Sequence, residues 1–560
     1  MGEQNTLRRD FLKSVGAAAG AVSIAGCAGG NGGETTTTTT APGDGQEGGS
    51  LTYARGAPSS TLDPQNTTSG EDAKVIVQIH NTLIEWVPHT TKLKDGLAKQ
   101  WNLEGTSVTL QLKKGITFHN GDEFTADDFI ATFRRFVDDD YEYYAGDKYT
   151  SAYGPFTLGN WIKTINKDGD YTLDIELSQQ YAPFLRNLAM FASNVLSETA
   201  IKNKGQGLKT EAVGTGPFKL DNWDQGNKQI NLSAYDDFWG DGPKLDTVIF
   251  KVIGKNSSRA QDLISGGSHV IDGLGAQSTQ IVEQSEKASL SSIQGINIGY
   301  MAYNMARFEP FRNRKVRNAV TYAVDTKAIV ENIFKGIAEQ ASQPITKKVL
   351  GYNDELEPYP HDPEKARQLL EEAGYGDGFE FELATFQNPR TYNPSPQQAA
   401  QVVKSNLAEV GITVNINPMP FSPFLTYTQQ GKHDACFLGW MTDNADPDNF
   451  YYVLMDPQIP VDQIPEGQDW VSFDTEGYNS TNAMGWANRE FINTIREAQR
   501  IYDPEQRAEL YRKAAQIQYD ETPWITMDHA KAMLGVRNEV KNMEVAPIGG
   551  PFLTQVTIQS

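Results

Sequence analysis

Along the second half of this chain, apolar residues recur at helical spacing, break off at a glycine, and give way to short β-rich runs. From Phe311 to Gly336, Val316, Val320, Ala323, Ile329, Ile333 and Phe334 fall near one face, which predicts one long helix stopped by Gly336. Asp362 and Pro363 predict the cap and first turn of another helix, which carries Ala366, Leu369, Leu370 and Ala373 inward and ends at Gly374. Pro396 to Val410 repeats the formula and ends at Gly411. β-rich sequence follows from Phe379 to Ala384 and from Ile412 to Ile416, so this half reads as an α/β layer. Two further helices, Asn488 to Tyr502 and Pro504 to Asp520, precede a last strand region.

The first half is also mixed. Leu51 to Ala54 predicts a short strand, and Arg55 to Ser60 a turn with exposed backbone. Glu71 to Leu83 has helical spacing, Val108 to Leu112 alternates as a strand, and Phe118 to Phe124 is a polar hairpin-like loop. Thr125 then reads as an N-cap with Asp128 at the third helical position, opening a helix through Phe133 and Phe136. The AVGTGPFKL run, Ala212 to Leu220, has two phosphate-loop-like glycines, but neither a Gly-Lys-Ser/Thr nor a helical pattern follows, so it reads as a structural turn. A turn at Tyr235 to Gly240 and a strand at Leu245 to Val252 come next.

One stretch changes character abruptly. The apolar run Ala435 to Trp440 breaks into Thr442, Asp443, Asn444, Ala445, Asp446, Pro447, Asp448 and Asn449, a buried strand delivering an acidic loop. Taken alone, Asp443 reads as loop solvation or an Asx-turn before Pro447 sooner than as a binding residue, and Trp440 as core or pocket wall.

The ends of the chain alter the picture. Thr6 to Lys13, TLRRDFLK, precedes a small-residue apolar segment from Val15 to Ala25, the pattern of a twin-arginine export signal over residues 1–26. Ile24-Ala25-Gly26-Cys27 resembles a lipobox, with Cys27 the lipidated residue. Residues 27–50, with consecutive threonines from Thr35 to Thr40, hold too few apolar side chains to fold and read as a disordered tether. No later segment reaches the roughly 18 apolar residues needed to span a bilayer. With Cys27 acylated, Cys436 is left alone inside an apolar strand, so no internal disulfide is expected and Cys436 reads as buried filler. The formal charge of the chain is −22. Removing residues 1–26 takes away Arg8, Arg9 and Lys13 against Glu3 and Asp10, which leaves −23. Such a balance argues against nucleic acid or anionic lipid as direct partners and fits an acidic surface adapted to high salt.

Enzyme signatures are missing. His80, His89, His119, His269, His361, His433 and His529 are scattered, with no HExxH, CxxC or GxSxG, so no metal site, cofactor or acyl-transfer triad is expected. Carboxylate pairs for glycoside hydrolysis carry no signal in a chain this rich in Asp and Glu.

Five blocks then stand in order: AVGTGPFKL (212–220), GYMAYN (299–304), KVRNAVTYAVD (315–325), DPEKARQLLEEAG (362–374) and GWMTDNADPDNF (439–450), with Arg390-Thr391-Tyr392-Asn393-Pro394 between the last two. This combination resembles the peptide-binding lipoproteins of ABC importers, solute-binding family 5, and within them the dipeptide binders. The resemblance implies an α/β, two-lobed periplasmic-binding-protein fold, type II, with ligand in the interlobe cleft, caught as the lobes close. It places lobe I at about 48–300 and 530–560, with an extra subdomain at about 72–200, and lobe II at 301–529. It also implies an exported protein lipid-anchored on the outer face of the cytoplasmic membrane, monomeric, not an enzyme, with a permease and an ATPase as partners.

Residue by residue, the resemblance carries the ligand's α-ammonium to Asp443 and its α-carboxylate to Arg390. Tyr392 falls beside the arginine, Trp440 and Thr442 beside the aspartate, and Phe421 where dipeptide binders carry a tryptophan. Phe421 keeps an aromatic wall but loses the indole N–H. Gly56 and Ala57, with Pro58, fall on the turn of lobe I whose backbone approaches the ligand. Asp446 and Asp448, flanking Pro447, are assigned to turn structure and to support of the residues that touch ligand.

The chemistry suits a zwitterion. Two buried charges must both be paired, the guanidinium fork meets a carboxylate, and a carboxylate accepts several bonds from an ammonium. An extended residue advances roughly 3.3 to 3.6 Å, so fixing both ends makes a ruler that a longer peptide overruns. The same fold serves other cargo: longer oligopeptides, metal chelates, haem or oligosaccharides. A surface-attached hydrolase is the remaining alternative.

Overall fold

The computed structural model describes residues 48–387 and 389–559. The export signal, Cys27 and the tether up to residue 47 lie outside them. Among the described residues no helix is long and apolar enough to cross a membrane. The described chain forms two units, one of residues 48–176, 188–295 and 531–559, the other of 177–187 and 296–530. The segment Leu177–Asn187, expected in lobe I, therefore groups with the second unit.

The first unit holds β1 (Ser50–Arg55), α1 (Gly70–Ile79), β2 (Ala98–Glu104), β3 (Ser107–Leu112), α2 (Ala126–Val137), β4 (Ile162–Lys167) and β5 (Thr172–Leu177, whose last residue passes into the second unit). There follow β6 (Phe218–Asp224), β7 (Gln229–Ala234), β8 (Thr247–Val252), α3 (Asn256–Ser265), β9 (Val270–Ile271) and β10 (Ala288–Gln294). β1 lies between β9 and β8 and is parallel to both, while β7 and β6 extend the sheet in antiparallel fashion. Val75 and Ile79 of α1 join Leu51, Tyr53, Val248 and Phe250 in its core. α2 starts as its cap predicts, the Thr125 N–H donating to Asp128 Oδ2 at 2.8 Å. The AVGTGPFKL turn packs on the end of α1: a β-carbon at Gly214 would stand 2.1 Å from the Ile79 carbonyl oxygen. Its glycines serve close packing.

The second unit holds β11 (Asn297–Tyr303), α4 (Arg314–Ala323), α5 (Pro363–Glu372), β12 (Glu380–Phe386), α6 (Pro396–Glu409), β13 (Thr413–Met419), α7 (Phe421–Gln429) and β14 (Ala435–Met441). After these come α8 (Asp448–Met455), α9 (Arg489–Ala498), α10 (Pro504–Glu521) and β15 (Trp524–Arg537), whose residues from Lys531 belong to the first unit. The strands run in the order β13-β12-β14-β11-β15. β12 is parallel to both β13 and β14, and β11 is antiparallel to β14 and β15. Val316 and Val320 of α4, Val403 and Leu407 of α6, and Phe381, Leu383 and Val414 of the strands are all buried. Cys436 is buried in β14.

One expectation is corrected. Residues 311–336 do not form a single helix: α4 stops at Ala323, Val324 is extended, and Asp325 caps a new turn, its carboxylate accepting the Ala328 N–H at 2.8 Å. A short π-helical stretch, Ile329–Ile333, completes it. The aspartate offers the backbone a local acceptor, and that restarts the helix despite the continuing apolar period.

Candidate functional site

β12 and β14 are parallel neighbours, with Leu383 opposite Ala435 and Ala384 opposite Cys436. Their C-terminal loops therefore leave from the same end of the sheet, the position at which α/β sheets form sites. The loop after β12 carries Arg390 and Tyr392, and the loop after β14 carries Thr442 and Asp443.

Arg390 and Asn393 exchange backbone hydrogen bonds at 3.0 and 3.1 Å, closing a tight turn around Thr391 and Tyr392. The Arg390 guanidinium carbon stands 3.4 Å from the ring centroid of Phe421, the first residue of α7. That is cation–π geometry. Its Nε is buried and has no hydrogen-bond partner among the described residues. Burial lowers the guanidinium pKa from the ordinary arginine value, and Tyr392 opposes the shift. Phe386, at the end of β12, packs edge-on to both Phe421 and Tyr392, at centroid distances of 5.6 and 6.1 Å. The cation thus rests on an aromatic cluster with a donor left over.

Tyr392 is buried, and burial pushes its phenol up to about 12 while Arg390 pulls the other way. Its ring lies across Gly439 of β14, and its carbonyl faces Gly299 of β11; a β-carbon at Gly299 would come 2.4 Å from that oxygen. Gly299 and Gly439 are cross-strand partners. Two bare positions side by side make the slot that receives the Arg390–Asn393 turn.

Asp443 is half-buried and organised by Asn449, the second residue of α8. Asn449 Oδ1 accepts the Asp443 backbone N–H at 3.0 Å and the Trp440 indole N–H at 3.0 Å, and its Nδ2 donates to Asp443 Oδ2 at 3.2 Å. Thr442 donates its N–H to the Ile296 carbonyl at 3.0 Å, and its hydroxyl oxygen accepts the Ala445 N–H at 2.8 Å. Beyond them Asp446 is gripped by both Nη atoms of Arg507, at 2.7 and 2.6 Å.

Gly56 and Ala57 belong to the first unit, in the turn after β1. Gly56 abuts the guanidinium of Arg259, to which a β-carbon there would approach within 3.3 Å; Ala57 and Pro58 are exposed. Arg259, only 3 % exposed, donates to the carbonyls of Ile253 (2.6 Å), Gly254 (3.2 Å), Asp272 (3.1 Å) and Gly273 (2.8 Å). These lie in the loops after β8 and β9, the two parallel neighbours of β1. One side chain fastens the strand-end loops on either side of the Gly56 turn.

The model of the bacterial extracellular solute-binding proteins, family 5, matches residues 92–459, more than half of the chain. The chain belongs to that family. Among relatives of this family 5 protein, the dipeptide-binding protein of Escherichia coli K12 is 31 % identical over 527 residues, covering 91 % of this chain and 95 % of the relative. The heme-binding protein A of Haemophilus influenzae is 30 % identical, covering 84 % and 85 %. Of solved structures, the ABC transporter-associated periplasmic binding protein DppA from Helicobacter pylori, in complex with peptide STSA, is 29 % identical. It superposes with a TM-score of 0.76, covering 92 % of this chain and 99 % of that one. The fold is the mixed α/β, two-lobed one of the family's periplasmic binding proteins.

Several residues around the site of this family 5 protein escaped sequence reasoning. Asn449 sits in a run of polar residues that all look alike in sequence. Gly299 and Gly439 do carry a signal, glycine inside a strand. So does Asp528, a lone acid in the apolar run of β15: it is 1 % exposed, stands opposite Gly299, and neither carboxyl oxygen has a partner among the described residues. Burial pushes its pKa well above the carboxylate range. Arg259 carries no signal at all.

Proposed function

We propose that this family 5 protein is the extracytoplasmic, lipid-tethered binding component of an ABC importer and that it captures short zwitterionic peptides, dipeptides foremost. One observation carries the reading: Arg390 and Asp443, opposite in charge, stand on loops leaving the same end of neighbouring parallel strands. Each has its own support, Phe421 under the guanidinium and Asn449 beside the carboxylate. A peptide with free ends lying between them pairs both of its charges, and each charge-assisted bond contributes about 1.5 to 3 kcal/mol. The printed names of the E. coli and Helicobacter relatives support peptide as the cargo class. The STSA peptide of the latter has four residues, so selection for two is the finer part of the proposal. The tether through Cys27, monomeric state and delivery to permease and ATPase subunits rest on the N-terminal sequence and on the family.

Titration calorimetry tests it with a free dipeptide, its N-acetylated and C-amidated forms, and a tripeptide. Binding of the free dipeptide is expected, with a loss of about tenfold or more when either end is blocked and in Arg390→Ala and Asp443→Ala. Equal affinity for blocked and free forms overturns the two-charge reading. A Soret band in the purified protein, with no response to dipeptides, would instead favour the cargo named for the Haemophilus relative.

A further inference from the structure

The excursion Leu177–Asn187 enters the second unit from β5 and leaves it again after eleven residues. Its sequence, LSQQYAPFLRN, buries Phe184 completely, and Pro183 starts a single helical turn, Phe184–Asn187, whose carbonyl acceptor for the Arg186 and Asn187 N–H groups is Pro183 itself. That turn sets Arg186 and Asn187 side by side. Both meet the loop that follows Asp443. Asn187 Oδ1 accepts the Asn444 Nδ2–H at 2.9 Å, with both side chains buried. Arg186 Nη1 reaches the Asn444 carbonyl at 3.5 Å, and its Nε stands 3.7 Å from Asp446 Oδ2. Tyr181 donates its hydroxyl to Asp448 Oδ2 at 3.3 Å, and the Ala182 N–H bonds the Gln499 carbonyl at 2.7 Å.

We infer that Leu177–Asn187 is a strap that positions the Asp443 loop, with Arg186 and Asn187 as positioning residues for the ammonium-binding carboxylate. Asn444 is the residue next to Asp443, and it is held at both its side chain and its carbonyl by the strap. Asn449, which orients Asp443 from the other side, stands one residue beyond Asp448, the strap's other anchor. The loop is polar from Thr442 to Asn449 and lacks an apolar side chain large enough to pin it, so its conformation rests on polar contacts: its own turn bonds, the Arg507 grip on Asp446, and, next to Asp443, those of the strap. The strap thereby acts on ligand through Asp443.

The assignment of a ligand role rests on the peptide reading above, and the test separates the two. Amide hydrogen exchange of the free protein needs no ligand: in Asn187→Ala and Arg186→Met the Asp443 amide, bonded to Asn449, should exchange about tenfold faster or more, while amides of β12 and β13 stay unchanged. Dipeptide affinity should fall by about tenfold in either variant, and by no further factor when the same change is made in Asp443→Asn, because residues acting through one group are not additive. Unchanged exchange at Asp443, or an affinity loss that is additive with Asp443→Asn, overturns the strap. A wild-type protein that binds no dipeptide overturns the peptide reading and leaves exchange to decide the strap.

Discussion

Tyr392 lies on Gly439 with no space for a β-carbon: one built there would stand 2.2 Å from Cγ and Cδ2 of the ring. The contact joins the loop that bears Arg390 to the strand that delivers Asp443, so the geometry of the two charges depends on an atom that is not there. Gly439→Ala must push the tyrosine out of its slot and should lower stability by about 1 to 3 kcal/mol, as overpacking does. Tyr392→Ala in the same chain should recover part of the loss. Urea midpoints for the two single variants and the double measure this; additive losses would rule out the contact as the cause.

The stacking of Arg390 on Phe421 predicts a selective effect of shape. Phe421→Leu keeps the site apolar but removes the ring face, and should weaken ligand by about 0.5 to 2 kcal/mol, the range of a partly desolvated cation–π pair. Phe421→Trp should preserve or strengthen binding. Calorimetry on the three proteins decides it, and equal affinities would place the stack outside the binding energetics.

Asn449 serves Trp440 and Asp443 at once. Asn449→Ala strands the buried indole N–H of Trp440, costing about 1 to 3 kcal/mol, and removes the side-chain acceptor of the half-buried Asp443 amide. Asn449→Asp keeps an acceptor for both N–H groups but replaces the donor to Asp443 Oδ2 with an oxygen that repels it, turning Asp443 out of its place, so dipeptide affinity should fall further than stability does. Chemical unfolding and calorimetry run in parallel separate the two quantities. A loss in Asn449→Asp confined to stability would argue against Asp443 as the ammonium's partner.

Buried Asp448 gives a signed pH dependence. Burial, then the Asp446 carboxylate, pushes its pKa up to about 7 against the pull of Arg507. The unfolded value is about 3.9, so the folded state holds this proton more tightly. The contribution to stability is present below pH 4 or so and is lost as pH rises through about 7. His433 and His529 act in the opposite sense: burial pulls both down to about 4, so their contribution is present above the unfolded value near 6.5 and is lost as pH falls through 4. The two effects overlap in the whole profile, and the difference between wild type and Asp448→Asn isolates the carboxyl. The variant should gain on wild type across that window, reaching on the order of 1 to 4 kcal/mol at about pH 8. A difference independent of pH in urea titrations would rule this out.

Much of the fold is legible in the chain because helix ends are local chemistry. Asp362 with Pro363 and Thr125 with Asp128 announce their helices through bonds spanning three residues. The same logic explains the miss at 311–336, where the apolar period runs on but Asp325 restarts the helix. Strand pairing is less accessible: that β12 and β14 are neighbours, and so bring two loops to one end, follows from a crossover of some fifty residues.

For the candidate site, residue type and block order point to Arg390 and Asp443, since charge and motif are properties of the chain itself. What holds them is a matter of tertiary structure. Asn449 has meaning only once Trp440 and Asp443 converge on one amide, and Gly439 only once Tyr392 lies over it. The segment 177–187 reads as part of lobe I from its place in the chain, yet its hydrogen bonds assign it to the loop beyond Asp443. Which side chains carry charge and where the backbone turns are local properties, written in the order of the residues. Their orientation was left to the tertiary structure, because a hydrogen bond reaches only about 3 Å and its partners here lie up to hundreds of residues apart along the chain.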